Sequence, residues 1–209
     1  MSTSSQPHLD VLIVGGGMIT HDQILPSIYH LQRVGLVGTI RVAALNLAPL
    51  RALAGATQLA EAFPGQGFEP LPALDRPREQ MFPGLYKDAI AAMAPYQLVV
   101  VAVPDHAHYP VIREALSHDQ HVLSVKPLVL KHAQAVEIEQ TARQRGLFVG
   151  VEYHKRFDRR ALEARLQYRR GRLGEFRCGE AKLVEPYYYR HSNFQNWFTK
   201  ENSDPFTYV

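Results

Sequence analysis

Unbroken apolar runs alternate along most of the chain with segments whose apolar positions recur every three or four residues. The clearest instance is LVVVAVPDHAHYPVIREALSHDQHVLSVKPL, from Leu98 to Leu128. Its two apolar runs, Leu98–Val103 and His121–Val125, do not alternate with polar positions, which predicts strands buried on both faces, as in a parallel sheet. Between them, Val111, Ile112, Ala115 and Leu116 have helical spacing, so residues 108–117 read as a helix. Strand, helix and strand in that order make a right-handed βαβ unit. Ligands of such sheets bind beyond the carboxyl ends of the strands. Those ends here carry Pro104-Asp105-His106-Ala107-His108 and Lys126-Pro127.

The rest of the chain extends the pattern. Asp10–Val14 reads as a strand, and Gly15-Gly16-Gly17 leads into a helix from near Ile19 to about Arg33, which Pro26 bends or delays. Gly35 and Gly38 bracket a turn before a second strand, Thr39–Leu45, and a helix from Ala48 to Ala62. Residues 63–84, rich in Pro and Gly, read as an irregular surface excursion. A short helix, Lys87–Ala94, precedes the Leu98 strand; a helix from Lys131 to Arg145 stops at Gly146, and Leu147–Val151 is a further strand. The pattern changes near 152–157. A helix over Asp158–Arg170 and a turn at 171–174 precede a strand candidate, Phe176–Val184. Beyond it the chain is aromatic and polar, with Tyr187, Tyr188, Tyr189, Phe194, Trp197 and Phe198.

The fold class expected is α/β: a doubly wound parallel sheet of the Rossmann kind, followed by part of a second α+β domain. Residues 1–8 read as a flexible leader, 9–153 as the dinucleotide-binding domain and 154–209 as a partial substrate or oligomerisation domain. The last piece, about 55 residues, is small for an independent core.

Composition narrows the classes. The 209 residues are 46% hydrophobic and 21% charged, with a net charge of only +3. Arg165, Arg169, Arg170 and Arg172 form the strongest basic cluster; on a helix they read as a solvated face rather than a nucleic-acid surface. No apolar run approaches the roughly 20 residues of a membrane span. Cys178 is the only cysteine, so neither a disulfide within the chain nor a thiolate metal cluster is available, and a cytoplasmic, reducing location is expected. No metal site is expected either, because His106 and His108 lack further ligands.

The glycine triplet carries the first chemistry. Gly15 and Gly17 match the first two glycines of G-x-G-x-x-G, and Thr20 stands at the third. The first glycine permits a tight turn, and the second lets a pyrophosphate approach the backbone at a helix N-terminus.

Taken together, VLIVGGGMI, VPDHAHY, HVLSVKPL and VEYHKRFD resemble the motifs of the Gfo/Idh/MocA family (glucose–fructose oxidoreductase and inositol dehydrogenase), in that family's order and approximate spacing. The resemblance implies a Rossmann domain followed by an α/β domain with an open antiparallel sheet. It implies hydride transfer between NAD or NADP and a small-molecule substrate, a hydroxyl or carbonyl carbon on a sugar or polyol. It places Lys126 at the lysine of the family's Glu-Lys-Pro motif, where an amine polarises a carbonyl or joins a proton relay. Burial or a neighbouring positive nicotinamide ring lowers the pKa of such a lysine. Pro127 fixes the turn that aims it. His108 matches a histidine beside the cofactor, or else it caps and packs. His154, with Tyr153, falls at the domain junction as a second catalytic candidate or a structural histidine. The cofactor surface so implied comprises Gly15, Gly17, Met18, Ile19, Asn46, Arg51, Val103, Pro104, His108, Lys126 and Pro127.

Three departures qualify the resemblance. Val125 stands where the motif has glutamate. At the end of the second strand, where the family offers Asp or Glu to the ribose, the nearest residue is Asn46, which admits NAD and NADP alike; Arg51 either assists NADP or is a helix-surface arginine. The family's second catalytic motif, an Asp and a His, has no counterpart before Val209. The chain is accordingly expected to be a fragment or a shortened member, with exposed sheet surface favouring homo-oligomers or aggregation. Alternatives are a nicotinamide-nucleotide-binding module without turnover and a different enzyme on the same sheet.

Overall fold

A computed structural model describes residues 8–182 and 184. Its centre is a six-stranded sheet: β1 (Leu9–Val14), β2 (Val37–Ala43), β3 (Glu69–Leu71), β4 (Leu98–Val101), β5 (His121–Val125) and β6 (Val149–Glu152). The spatial order is β3-β2-β1-β4-β5-β6, with every neighbouring pair parallel. The order reverses between β1 and β4, where Val14 lies level with Val101. That reversal opens a crevice beyond the carboxyl ends of the two strands, the usual ligand position of this architecture.

Burial on both faces explains the unbroken apolar runs. Val11 and Ile13 of β1 face a core built with Ile24, Leu25, Ile28, Leu50 and Leu53. Leu12 and Val14 face the opposite core, with Ile90, Val111, Ile112, Leu116 and Ile138. Successive strand side chains point to opposite faces, so each strand needs apolar residues at every position. The first layer comes from α1 (Leu25–Arg33), α2 (Leu47–Ala54) and α3 (Thr57–Ala62). The second comes from α4 (Leu85–Ala91), α5 (His108–Ser117) and α6 (His132–Arg145). Gly146, left-handed at φ 66°, ends α6 as expected. Beyond the sheet, α7 (Arg159–Arg169) begins at Asp158, whose carboxylate accepts hydrogen bonds from the Arg160 and Ala161 amides.

Several boundaries differ from expectation, each for a physical reason. The helix after Gly17 begins at Met18 but passes through a π-helical turn, Thr20–Ile24, in which the Leu25 amide donates to the Thr20 carbonyl. Pro26, in the first turn of α1, has no amide to continue the regular ladder. The second strand starts at Val37, and Gly38 lies inside it rather than in a turn. A Cβ at Gly38 would fall 2.7 Å from Asp10 Oδ1, and that oxygen accepts a hydrogen bond from the Thr39 amide at 2.8 Å. The single helix expected over 48–62 is two, because Gly55 closes α2 and Ala56 is extended.

Residues 63–84 contain β3, which reading them as irregular misses. It is a three-residue edge strand through Pro70, and edge strands tolerate a missing amide. Arg41 pairs with Glu69 at 2.9 Å along the same register. The fourth strand ends at Val101, the fourth helix lies over 85–91 and the sixth strand starts at Val149. Phe176–Val184 is not a strand where it is described; Phe176–Lys182 and Val184 are exposed and irregular. Residues 1–7 of the leader, and Tyr187, Tyr188, Tyr189, Phe194, Trp197 and Phe198, lie outside the described residues.

Candidate functional site

The crevice begins at the turn after β1. The Gly15 amide donates to the Ala43 carbonyl at 2.8 Å, and the Ala102 amide donates to the Val14 carbonyl at 2.8 Å, so both neighbouring strands hold the turn. Gly15 has φ +110°, and a Cβ there would stand 2.0 Å from the Ala102 carbonyl oxygen. Only glycine fits that position. A Cβ on Gly16 would touch Pro49 at 3.2 Å. Gly17 differs: its φ is not in the left-handed range, and nothing lies within 4 Å of where its Cβ would be. Glycine there leaves the backbone open to the crevice.

Met18 and Ile19 form the first helical turn, and Met18 is exposed. Amides of a first turn have no carbonyl partner within the helix and carry its positive dipole end. Thr20, in place of the third glycine, is 0% exposed, and its hydroxyl donates to the Gly15 carbonyl at 2.7 Å. The departure from the fingerprint therefore braces the turn from inside. An open glycine backbone leading into helix-end amides is a donor set that fits a dinucleotide pyrophosphate.

Asn46 sits just beyond β2 as the N-cap of α2, its side-chain oxygen accepting from the Ala48 amide at 3.0 Å. The guanidinium of Arg51 instead donates to the carbonyls of Leu74 at 3.0 Å and Arg76 at 3.4 Å, binding the loop after β3 to α2.

On the other side of the crevice, Val103 and Pro104 follow β4. Val103 lies close to Gly15: a Cβ there would reach its Cγ1 at 3.2 Å. Pro104 opens a single 3-10 turn, Asp105–Ala107, that runs into α5. Asp105 and His108 are buried. His108 Nδ1 lies 2.6 Å from the Pro127 carbonyl oxygen and Nε2 lies 2.8 Å from that of Val103. A neutral imidazole donates to one of these oxygens and a protonated ring to both. Either way, the ring sits between the loops after β4 and β5 and links them.

Lys126 follows β5, and its peptide bond to Pro127 is cis. Burial pushes the Lys126 amine below the ordinary lysine value of 10.5, while the nearby carboxylates of Asp105 and Glu152 pull it back up. Those carboxylates come from the strands on either side, Asp105 after β4 and Glu152 at the end of β6. His154 lies in a 3-10 turn, His154–Phe157, with Nδ1 3.0 Å from Glu152 Oε1. The exposed ring of Tyr153 carries the Arg156 guanidinium at 5.5 Å.

The structure thus gathers the Gly15–Ile19 turn, Val103, Pro104, Lys126, Pro127 and His154 at one end of the sheet, with Asn46 beyond the neighbouring strand. Sequence reasoning names Asp105 and Thr20 without giving either a role, and does not single out Glu152. A charged residue closing a strand run was the available sign for Glu152. Among the described residues, no three His, Cys, Asp or Glu side chains are grouped to hold a metal ion, and no helix is long and apolar enough to cross a membrane.

A family model described as an oxidoreductase family with an NAD-binding Rossmann fold matches residues 9–153. An uncharacterized oxidoreductase of Schizosaccharomyces pombe is 31% identical over 109 residues, covering 52% of this chain and 30% of that protein. An NAD binding oxidoreductase from Klebsiella pneumoniae shares the fold at TM-score 0.56 and 21% identity, covering 81% of this chain and 40% of that one. So does a 3-ketoreductase from Actinomadura kijaniata in complex with TDP-benzene and NADP, at TM-score 0.55 and 21% identity, covering 79% of this chain and 44% of that one. The chain therefore spans less than half the length of these relatives. With a Rossmann sheet, a glycine turn at its switch point and a family model over most of its length, the chain belongs to the Gfo/Idh/MocA family of NAD-binding oxidoreductases.

Proposed function

We propose that this chain forms the cofactor half of an NAD(P)-dependent oxidoreductase acting on a sugar- or polyol-like hydroxyl or carbonyl. The observation that carries the reading is Lys126: a half-buried amine, lowered below its ordinary value, beyond the strand next to the switch point. The nicotinamide–TDP-ligand complex of the Actinomadura kijaniata 3-ketoreductase supports a sugar-like substrate class by fold analogy alone.

In this reading residues 9–153 are the nucleotide-binding domain, and residues 154–209 belong to the substrate side. The Gly15–Gly17 backbone and the first-turn amides of Met18 and Ile19 hold the pyrophosphate. The Asn46 side-chain amide remains a donor for ribose while its oxygen caps α2. Val103 and Pro104 line the path toward the reacting end, and His108 keeps their loop aligned with Pro127. Arg51 bears on the cofactor only through the loop it holds. A bound nicotinamide supplies the hydride acceptor in one direction and the hydride donor in the other. Lys126 takes the hydroxyl proton as the carbon–oxygen double bond forms, and returns it in reduction. Lowering the amine's pKa moves it toward the range in which it can accept a proton. His154 stands at the outer edge, where substrate enters.

The test is titration of the purified protein with NADH and NADPH, followed by nicotinamide fluorescence, beside turnover of carbonyl sugars by wild type and Lys126→Met. Saturable binding with turnover lost in the variant is expected. Binding without turnover in wild type would favour a nucleotide-holding module, and equal turnover in both would remove Lys126 from the chemistry. Failure of a folded protein to bind either dinucleotide would overturn the reading.

A further inference from the structure

We infer that Glu152 is the positioning carboxylate of Lys126: from the end of β6 it orients the amine toward the crevice and joins it to the imidazole of His154. The inference rests on the reading of Lys126 as the proton-transfer group.

The adjacency of the two strand ends carries the argument. Glu152 is the register partner of Val125, the residue immediately before Lys126. Neighbouring strands lie about 4.8 Å apart, so Glu152 stands one strand spacing from the backbone that carries the amine. Val125 is buried in the apolar core and offers no polar atom to its neighbour. The carboxylate at this level of the sheet thus comes from the adjoining strand.

Burial supplies the second observation. β6 is an edge strand, and the side chain of a terminal glutamate there has room to turn into water. Glu152 does not: its side chain is only 16% exposed, with Oε1 3.0 Å from His154 Nδ1. A carboxylate withdrawn from water needs compensating positive charge or donors. Lys126 and His154 supply it. The interaction with Lys126 favours the ammonium, against the burial that disfavours it.

Other charged groups lie nearby among the described residues. Asp105 acts on Lys126 from the β4 side, with His106 next to it in the chain. The His108 ring is turned to the Val103 and Pro127 carbonyls. Lys155 and Arg156, next to His154, are exposed. Glu152 therefore has a place of its own beside the amine: it couples Lys126 to the titratable ring of His154 at the rim of the crevice.

Reductive methylation with carbon-13 formaldehyde, read by NMR across pH, tests this on the intact protein. The chain has only six lysines, and Lys126 is assigned by the signal that disappears in K126R. In E152Q the Lys126 signal is expected to titrate at lower pH than in wild type, because a carboxylate that favours the ammonium has gone. E152D keeps the charge and should lie closer to wild type than E152Q does. E139Q, which alters an exposed carboxylate paired with Arg143, should coincide with wild type. Superimposable wild-type and E152Q curves would overturn the inference. The titration needs no turnover, so it is read independently of whether K126M loses activity. With turnover in hand, E152Q should reduce kcat about tenfold, shift its pH profile and leave cofactor affinity unchanged.

Discussion

His108 Nδ1 lies 2.6 Å from the Pro127 carbonyl oxygen, which ties the start of α5 to the loop that presents Lys126. The other ring nitrogen faces Val103. One fully buried ring therefore holds together the two loops that border the crevice. Replacing it by leucine removes the polar partner of both carbonyls and leaves at least one of them without a donor in a buried place. His108→Leu is expected to cost about 3 kcal/mol of stability, read as a lower midpoint in urea denaturation. An unchanged midpoint would show that the two loops do not depend on the ring.

Gly15 and Gly17 should respond in opposite ways to a side chain. At Gly15 an alanine meets the Ala102 carbonyl oxygen at 2.0 Å in a left-handed conformation, and a loss of about 3 kcal/mol is expected. At Gly17 the Cβ meets nothing, so alanine or tryptophan should change stability by less than about 1 kcal/mol. Gly17→Trp should nevertheless raise the Kd for NADH or NADPH at least about tenfold, because the ring fills the approach to the turn. Unimpaired dinucleotide binding by Gly17→Trp would place the pyrophosphate elsewhere.

Asn46 offers a clean test of cofactor choice because aspartate caps a helix as well as asparagine does. Asn46→Asp keeps the acceptor for the Ala48 amide and adds a negative charge beyond β2. The ratio of the NADPH to the NADH dissociation constant should rise about tenfold, through repulsion of the 2′-phosphate. Asn46→Ala should instead lose the cap, about 1 kcal/mol, measured by thermal unfolding. An unchanged ratio in the aspartate variant would mean that the ribose does not reach this cap.

Lys126 makes stability depend on alkaline pH. Its folded pKa is lowered, chiefly by burial, below the unfolded value of 10.5. Below the folded value the amine is protonated in both states, and the folded protein bears the full cost of the half-buried ammonium. Between the folded value and 10.5 the unfolded chain holds a proton that the folded protein has released, so this contribution to stability rises with pH. Lys126→Met removes the effect. Wild type should therefore gain stability relative to Lys126→Met as pH rises toward 10.5, in parallel denaturant titrations. A constant difference across that window would mean that the amine titrates alike in both states.

Much of the sheet was legible in the chain. The helix at 108–117 and the strand at 121–125 lie where their periodicity puts them, and Gly146 ends the preceding helix. The glycine turn and Lys126 could also be found, because both come directly after apolar runs. Gly38 misled for a reason of geometry: glycine marks a turn in sequence statistics, yet here it makes room for the Asp10 carboxylate inside a strand.

The sequence alone determined the fold class and the glycine turn that follows the first strand. Hydrophobic period and glycine placement are local properties, set by which residues must be buried on which face. Only the tertiary structure decided what depends on neighbours distant in the chain. Three residues around Pro70 become a strand because β2 offers them a ladder. Arg51 reaches two loop carbonyls because the chain after β3 returns beside α2. Glu152 comes near Lys126 because β6 pairs with β5 and both strands end at the same level of the sheet. Hydrogen bonds and charge–charge contacts act through space over a few ångströms, and the folding of the sheet selects which residues come within that reach.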